Sequence, residues 1–240
     1  MTSRPLELTL EASFERLSAT IPATVGIAIA APGGAGVCSL GRWSTGVAWS
    51  TIKVPLAIAA LRNDQRRARD SVFKAITESD NLASENLWSQ LGTSTEAAQR
   101  LQAVIGQCGD TPTVVESRRI RPGFTAFGQT QWALSAQAQF GAQLPEMPDA
   151  AAVVQLMQNL IDRQRWGLAA KGFAAKGGWG PGKAPKDYMI RQFGIVPTES
   201  GNWGVALAAE AHNGAFNTAK AAVNRLADWL VSHLADLAQN

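Results

Sequence analysis

Apolar residues recur at helical spacing at both ends of the chain: Leu10, Phe14 and Leu17 within residues 6–17, and Val223, Leu226, Leu230 and Leu234 within residues 215–238. A period near 3.6 predicts two amphipathic terminal helices, each with one stripe to bury. Residues 174–182, 188–196 and 203–210 are short apolar runs joined by Gly/Pro-rich turns, which predicts three strands. Between about residues 54 and 168 the pattern is helical and lacks strand alternation, except at 113–115. The arrangement that satisfies these segments is a helical lobe inserted between the early and late strands of one sheet, with the terminal helices packed on a sheet face. No internal repeat or low-complexity linker interrupts it. The chain therefore reads as a single domain of α/β class (α+β type), with an antiparallel sheet flanked by terminal helices. Its α/β lobe covers about 1–49 and 170–240, and its helical lobe about 50–169.

One polar residue is out of keeping with this pattern. Residues 51–61 are almost wholly apolar apart from Lys53. Burying an ammonium costs several kcal/mol unless it is paired or gives up its proton, so a lysine here points to chemistry. On a helix beginning at Ser50, residues i and i+3 share a face, which brings the Lys53 amine beside the Ser50 hydroxyl as base and nucleophile. Backbone N–H groups of the first turn would face an oxyanion formed there. An S-x-x-K tetrapeptide alone signals no more than a helix start.

Two further segments change that picture. Ser79-Asp80-Asn81 sits where one apolar helical run ends and the next begins, with Asp80 or Asn81 able to cap a helix at Leu82. Such a turn either merely joins two helices or aims Ser79 and Asn81 into a cleft. Lys176-Gly177-Gly178 lies on the first late strand, where glycines let a substrate backbone approach the strand edge; the alternative is a loose hairpin with a solvated lysine.

In this order and with these flanks, the three motifs resemble the serine penicillin-recognising superfamily of β-lactamases and DD-peptidases, and within it the class A β-lactamases. The resemblance covers most of the chain. It implies that 24–30 and 36–40 are the two antiparallel strands preceding the nucleophile helix. It also implies that Ser50 is acylated, that Lys53, its pKa lowered by burial and by Lys176, takes the Ser50 proton, and that Ser79 relays it. Asn81, Gly177 and Gly178 would contact substrate, and Trp179 would supply one backbone N–H of the oxyanion hole while its ring narrows the cleft.

The departures from the family pattern carry their own expectations. Class A enzymes use a glutamate on a later loop to activate the water that clears the acyl-enzyme, and the family spacing falls on Glu116. Arg119-Ile120 stand where the family has Leu-Asn, so that water loses a side-chain partner; alternatively Glu116 pairs with Arg118, Arg119 or Arg121. Gly177 replaces a Thr or Ser whose hydroxyl helps hold the substrate carboxylate, and Arg191 could take over that grip in bidentate fashion. Ser79 follows Ser50 by only 29 positions, roughly half the family's separation, which implies a trimmed helical lobe and a more open site.

Composition adds limits. The 240 residues are 46% hydrophobic and 17% charged, enough for one large core or two lobes sharing an interface. A net charge of +3 without a basic, aromatic-interleaved run excludes nucleic-acid binding and suits a small anionic substrate. The segment 66–69, with three arginines, reads as solvated helix. No membrane-spanning run or signal sequence is present, and because such substrates lie outside the cytoplasm, the expectation is an exported monomer whose signal has been replaced by Met1; a cytosolic protein is the alternative. Cys38 and Cys108 are either one disulfide or two thiols and have no metal-ligand company; neither metal nor cofactor is expected. Most of the eight tryptophans read as core, and without a G-x-S-x-G elbow, His212 and His233 do not suggest a Ser-His-Asp triad. The readings left open are a serine hydrolase with weak β-lactam turnover, a penicillin-binding or DD-peptidase/esterase-like protein of the cell envelope, and a non-catalytic scaffold.

Overall fold

The computed structural model describes residues 3–34, 36–182 and 188–235. In chain order the elements are α1 (Ser3–Ser18), β1 (Ala23–Ala30), β2 (Val37–Gly41), β3 (Thr45–Val47), a 3-10 turn (Trp49–Ile52), α2 (Lys53–Thr77), α3 (Asn81–Gln90) and α4 (Ser94–Gln107). After a long irregular segment come β4 (Gln131–Ala133), α5 (Leu134–Gln143), α6 (Ala151–Gln158), β5 (Ala174–Pro181), β6 (Tyr188–Thr198), β7 (Gly201–Ala211) and α7 (Phe216–Ser232). The main sheet is antiparallel throughout, in the order β2-β1-β7-β6-β5, which leaves β5 as an edge strand.

Side-chain alternation divides this sheet into two faces. Val25, Ile27 and Ile29 of β1 and Val205, Leu207 and Ala209 of β7 pack with Leu10 and Phe14 of α1 and with Val223, Leu226 and Leu230 of α7. The opposite face presents Ala28, Ala30, Ala206 and Ala208 to α5 and the remaining helices. Large residues on one face and alanines on the other let the inner helix lie close to the strands. Because both faces are covered, the central strands read as unbroken apolar runs.

The helix α2 is two helices in one line. Asp64 is non-helical (φ −159°, ψ 95°), and its carboxylate accepts from the Arg67 N–H at 3.0 Å, restarting the helix as a cap does. Before it, Val54–Ala60 is buried on all sides; after it, only Ala68, Val72, Ala75, Ile76 and Thr77 turn inward, and the arginines of 66–69 face solvent. The next two helices have sequence-encoded starts. Asp80 accepts from the Ala83 N–H at 2.7 Å at the head of α3, and Thr93 with Glu96 forms a capping box at the head of α4.

Two expectations about the middle of the chain need correction. Residues 113–115 are not a strand, because the Val115 N–H donates to the Gln102 side chain and the Glu116 N–H to Thr130 Oγ1, so the backbone is paired with side chains. A small two-stranded sheet of β3 and β4 lies where no alternation announced it. The terminal helix expected over 215–238 ends at Ser232, and its last expected residues, 236–238, lie outside the described residues. No disulfide joins Cys38 to Cys108: the Cys108 thiol lies 3.7 Å from Met147 Sδ, and burial pushes it up to about 11.

Candidate active site

The nucleophile candidate sits on the turn that leads into α2. Ala48 N–H donates to Thr130 O, and both the backbone N–H and the hydroxyl of Thr51 donate back to Ala48 O, at 3.2 and 2.6 Å. This closes a 3-10 turn over Trp49–Ile52 instead of starting an α-helix at Ser50. Trp49 takes φ 49°, a left-handed conformation costly for a bulky residue, and its buried indole N–H has no hydrogen-bond partner among the described residues. The edge strand β5 presses on this turn. A Cβ at Gly178 would come within 2.7 Å of the Ser50 nitrogen, so only glycine allows that approach.

Lys53 is 1% exposed at the head of α2. Its Nζ reaches Ser79 O at 2.6 Å, Asn81 Oδ1 at 2.8 Å, Asp80 O at 3.3 Å and Ser79 Oγ at 3.4 Å. The expected hydrogen bond between Lys53 and Ser50 is not formed among the described residues; the amine instead ties down the turn before α3. Ser79 itself takes φ 60° to present its hydroxyl. On the other side, fully buried Lys176 donates to Ser79 Oγ and to Gly177 O, each at 2.9 Å. The Ser79 hydroxyl therefore lies between two amines.

Their protonation follows from burial. Loss of water lowers the Lys53 pKa from 10.5 to about 7, with the Asp80 carboxylate opposing the shift. Burial, and after it the Lys53 charge, holds Lys176 well below the ordinary lysine range. Burial is thus the largest cause at both lysines, and the repulsion between the two neighbouring amines disfavours charging both at once.

Ser50, Lys53, Ser79 and Asn81 share a cleft of about 590 Å³. Trp179, Gly180 and Pro181 of β5 form one wall, and Gly123, Phe124 and Thr125 of the long irregular segment form another. Arg121 joins the two walls by donating to Pro181 O and Gly182 O, at 3.2 and 3.3 Å. The cleft also contains Glu85, which sequence reasoning passed over, paired at 2.8 Å with Arg119, which the sequence marks only as a departure from the family pattern and a candidate partner of Glu116. Glu85 falls four residues after Asn81, a spacing that puts both on one face of α3, and that signal was available in the sequence.

Three expected site residues sit elsewhere. Glu116 does not line the cleft; its carboxylate accepts from the Arg118 side chain at 3.1 Å and from the Arg118 N–H at 2.8 Å, bonds that lower its pKa and match the ion-pair alternative. Arg191 is fully buried and cannot grip a substrate. Its Nη1 donates to the carbonyls of Gly46, Val47 and Trp132, while Nε and Nη2 both donate to Gln137 Oε1. Gln137 Nε2 in turn donates to Thr51 Oγ1 at 2.8 Å, so this buried chain anchors the nucleophile turn. Burial lowers the Arg191 pKa to about 9. Gly177 also points away from the cleft, because a Cβ there would meet the Trp166 ring at 2.3 Å. The indole fills the space that a threonine or serine side chain would need.

Neither a family model nor a curated protein sequence matches the chain. Solved structures do. The TLA-3 extended-spectrum β-lactamase superposes with a TM-score of 0.76 at 12% identity, over 95% of this chain and 99% of that one. A β-lactamase from Chitinophaga pinensis gives 0.75 at 13% identity, over 94% and 99%. A variant of the last common ancestor of Gram-negative class A β-lactamases gives 0.70 at 16% identity, over 94% and 98%. The chain has the fold of the serine β-lactamases, and no helix among the described residues is long and apolar enough to cross a membrane.

Proposed function

We propose that this chain is a serine hydrolase that forms an acyl-enzyme at Ser50 from a β-lactam or a D-alanyl peptide or ester, and releases it slowly. The observation that carries the reading is the Ser79 hydroxyl held between Lys53 and Lys176, in the same cleft as Ser50. A lysine with a pKa of about 7 is neutral in half its copies at neutral pH and can accept a proton, which an ordinary surface lysine cannot.

In the acylation step, the Ser50 oxygen forms a bond to the substrate carbonyl carbon while its proton passes to Lys53. Hydrogen bonds of this kind commonly tighten only with substrate bound, so the missing Ser50–Lys53 contact is one that the substrate complex completes. Backbone N–H groups of Ser50 and Trp179 would hold the oxyanion. Collapse of the tetrahedral species breaks the carbonyl C–N or C–O bond, and Ser79, between the two amines, passes the proton to the leaving atom. Asn81 keeps Lys53 in place and faces the substrate. These groups close the chemistry without a metal or cofactor, and the proposal has one domain acting as a monomer on a small anionic substrate outside the cytoplasm.

A second reading rests on Glu116. With that carboxylate bound to Arg118 and off the cleft wall, a penicillin-binding protein that acylates and hardly turns over fits as well. Mass spectra of the protein with benzylpenicillin, followed over time, separate the two. An adduct on Ser50 that decays indicates the hydrolase and one that persists indicates the binding protein. Absence of any adduct, or an adduct retained in Ser50→Ala, would overturn the Ser50 assignment.

A further inference from the structure

Deacylation needs a group that takes a proton from water, and the carboxylate expected from the family spacing is not in the cleft. We propose that Glu85 is the general base for the water that clears the Ser50 acyl group. This rests on the acyl-enzyme reading above and adds to it a residue outside the three motifs.

Three observations carry it. First, Glu85 lines the cleft that holds Ser50 and Lys53, whereas Glu116 does not. Second, Glu85 lies one helical turn beyond Asn81 on α3, and residues four apart on a helix have Cβ atoms about 5–6 Å apart on one face. Asn81 Oδ1 accepts from Lys53 Nζ at 2.8 Å, so Glu85 stands one turn from the amine that serves the nucleophile. Third, only one of its oxygens is committed. Oε1 accepts from Arg119 Nη2 at 2.8 Å, and Oε2 has no partner among the described residues. Arg119 also donates to Phe124 O at 3.3 Å, which ties the carboxylate to the opposite wall of the cleft and fixes its direction.

The step balances without any other reactant. A water between Glu85 Oε2 and the ester carbonyl gives its proton to the carboxylate as its oxygen bonds the acyl carbon. The tetrahedral species then expels Ser50 Oγ, breaking the ester C–O bond, and the oxygen recovers a proton from Lys53, itself reprotonated through the cleft from Glu85. The products are free Ser50 and the substrate carboxylic acid. A plain ion pair with Arg119, partly exposed on both sides, would contribute little to stability and nothing to turnover.

The test uses the full chain and benzylpenicillin, with acyl-enzyme on Ser50 followed by mass spectrometry. Glu85→Gln should acylate near the parent rate and lose the adduct ~10²–10⁴-fold more slowly, the scale of general-base loss. Glu85→Asp should restore part of the decay, and Glu116→Gln should decay as the parent does. Arg119→Gln removes the ion pair but leaves the base, so it should slow decay far less than Glu85→Gln. Equal behaviour of those two variants, parental decay in Glu85→Gln, or accumulation in Glu116→Gln instead would each overturn the assignment. An adduct that persists in the parent keeps the acyl-enzyme reading and removes Glu85 as base; no adduct in the parent removes both.

Discussion

If neutral Lys53 is the base for acylation, pH should control the rate in a way the site already dictates. The folded-state pKa of about 7 leaves roughly one amine in eleven neutral at pH 6, half at pH 7 and about ten in eleven at pH 8. The rate constant for labelling Ser50 should therefore rise about tenfold from pH 6 to pH 8 and then level off. Asp80 supplies an internal control. Its charge raises the Lys53 pKa against the effect of burial, so Asp80→Asn should move the midpoint downward and make labelling faster at pH 6. Asparagine caps helices as well as aspartate does, so the Ala83 N–H keeps its partner and α3 its start. The assay is time-resolved mass spectrometry with benzylpenicillin under pseudo-first-order conditions, in buffers of matched ionic strength. A flat profile between pH 6 and pH 8, or a midpoint unmoved or raised by Asp80→Asn, would refute the role of Lys53.

The same lysine should leave a signature in stability. Its pKa falls from 10.5 to about 7 on folding, so between those values the unfolded chain binds more protons, and stability rises with pH across that window. The full penalty, roughly 5 kcal/mol at 1.36 kcal/mol per pKa unit, applies below pH 7. Lys53→Met should therefore gain more in urea unfolding at pH 6 than at pH 10, and equal effects at both would contradict the burial account. Gly177→Thr, which restores the family's hydroxyl, should not improve labelling and should lower stability by about 1–3 kcal/mol, because its Cβ collides with Trp166; faster labelling at unchanged stability would show that the ring yields. Arg191→Met leaves several buried acceptors without a donor, at roughly 1–3 kcal/mol for each one orphaned, so the urea midpoint should drop sharply; an unchanged midpoint would mean that the guanidinium anchors nothing.

What the sequence disclosed about this site depended on whether the information was local. Ser50 with Lys53, and Ser79 with Asn81, sit within one turn of each other, and the strands carrying Lys176 were bounded by glycine and proline turns. The site roles expected of Glu116 and Arg191 rest on counting along the chain, and neither residue lines the cleft. A distance in residues fixes nothing in space when the intervening segment is shortened and irregular, and here the Glu116 carboxylate turns back onto its neighbour Arg118. Arg191 lies on β6, one strand in from the edge, where its side chain enters the interior beneath β3 and β4, and that three-residue pair was too short to show a pattern. The partners of Arg191, Gln137 and the carbonyls of residues 46, 47 and 132, come from three separate stretches of chain that only the tertiary structure unites.

The left-handed residues Trp49 and Ser79 bear on any attempt to improve this protein by selection. Strain of this kind costs of order 1–3 kcal/mol at each position; at Trp49 the packing of the buried ring, worth about 3–5 kcal/mol, outweighs it, whereas at Ser79 glycine would relieve it with little packing lost. A library screened only for heat resistance would thus be drawn to Ser79→Gly, which removes the hydroxyl between the lysines. Survivors of such a screen would be hardier and inert. Robust versions that still work have to be sought among surface positions far from these two turns, with cleft chemistry assayed in every round.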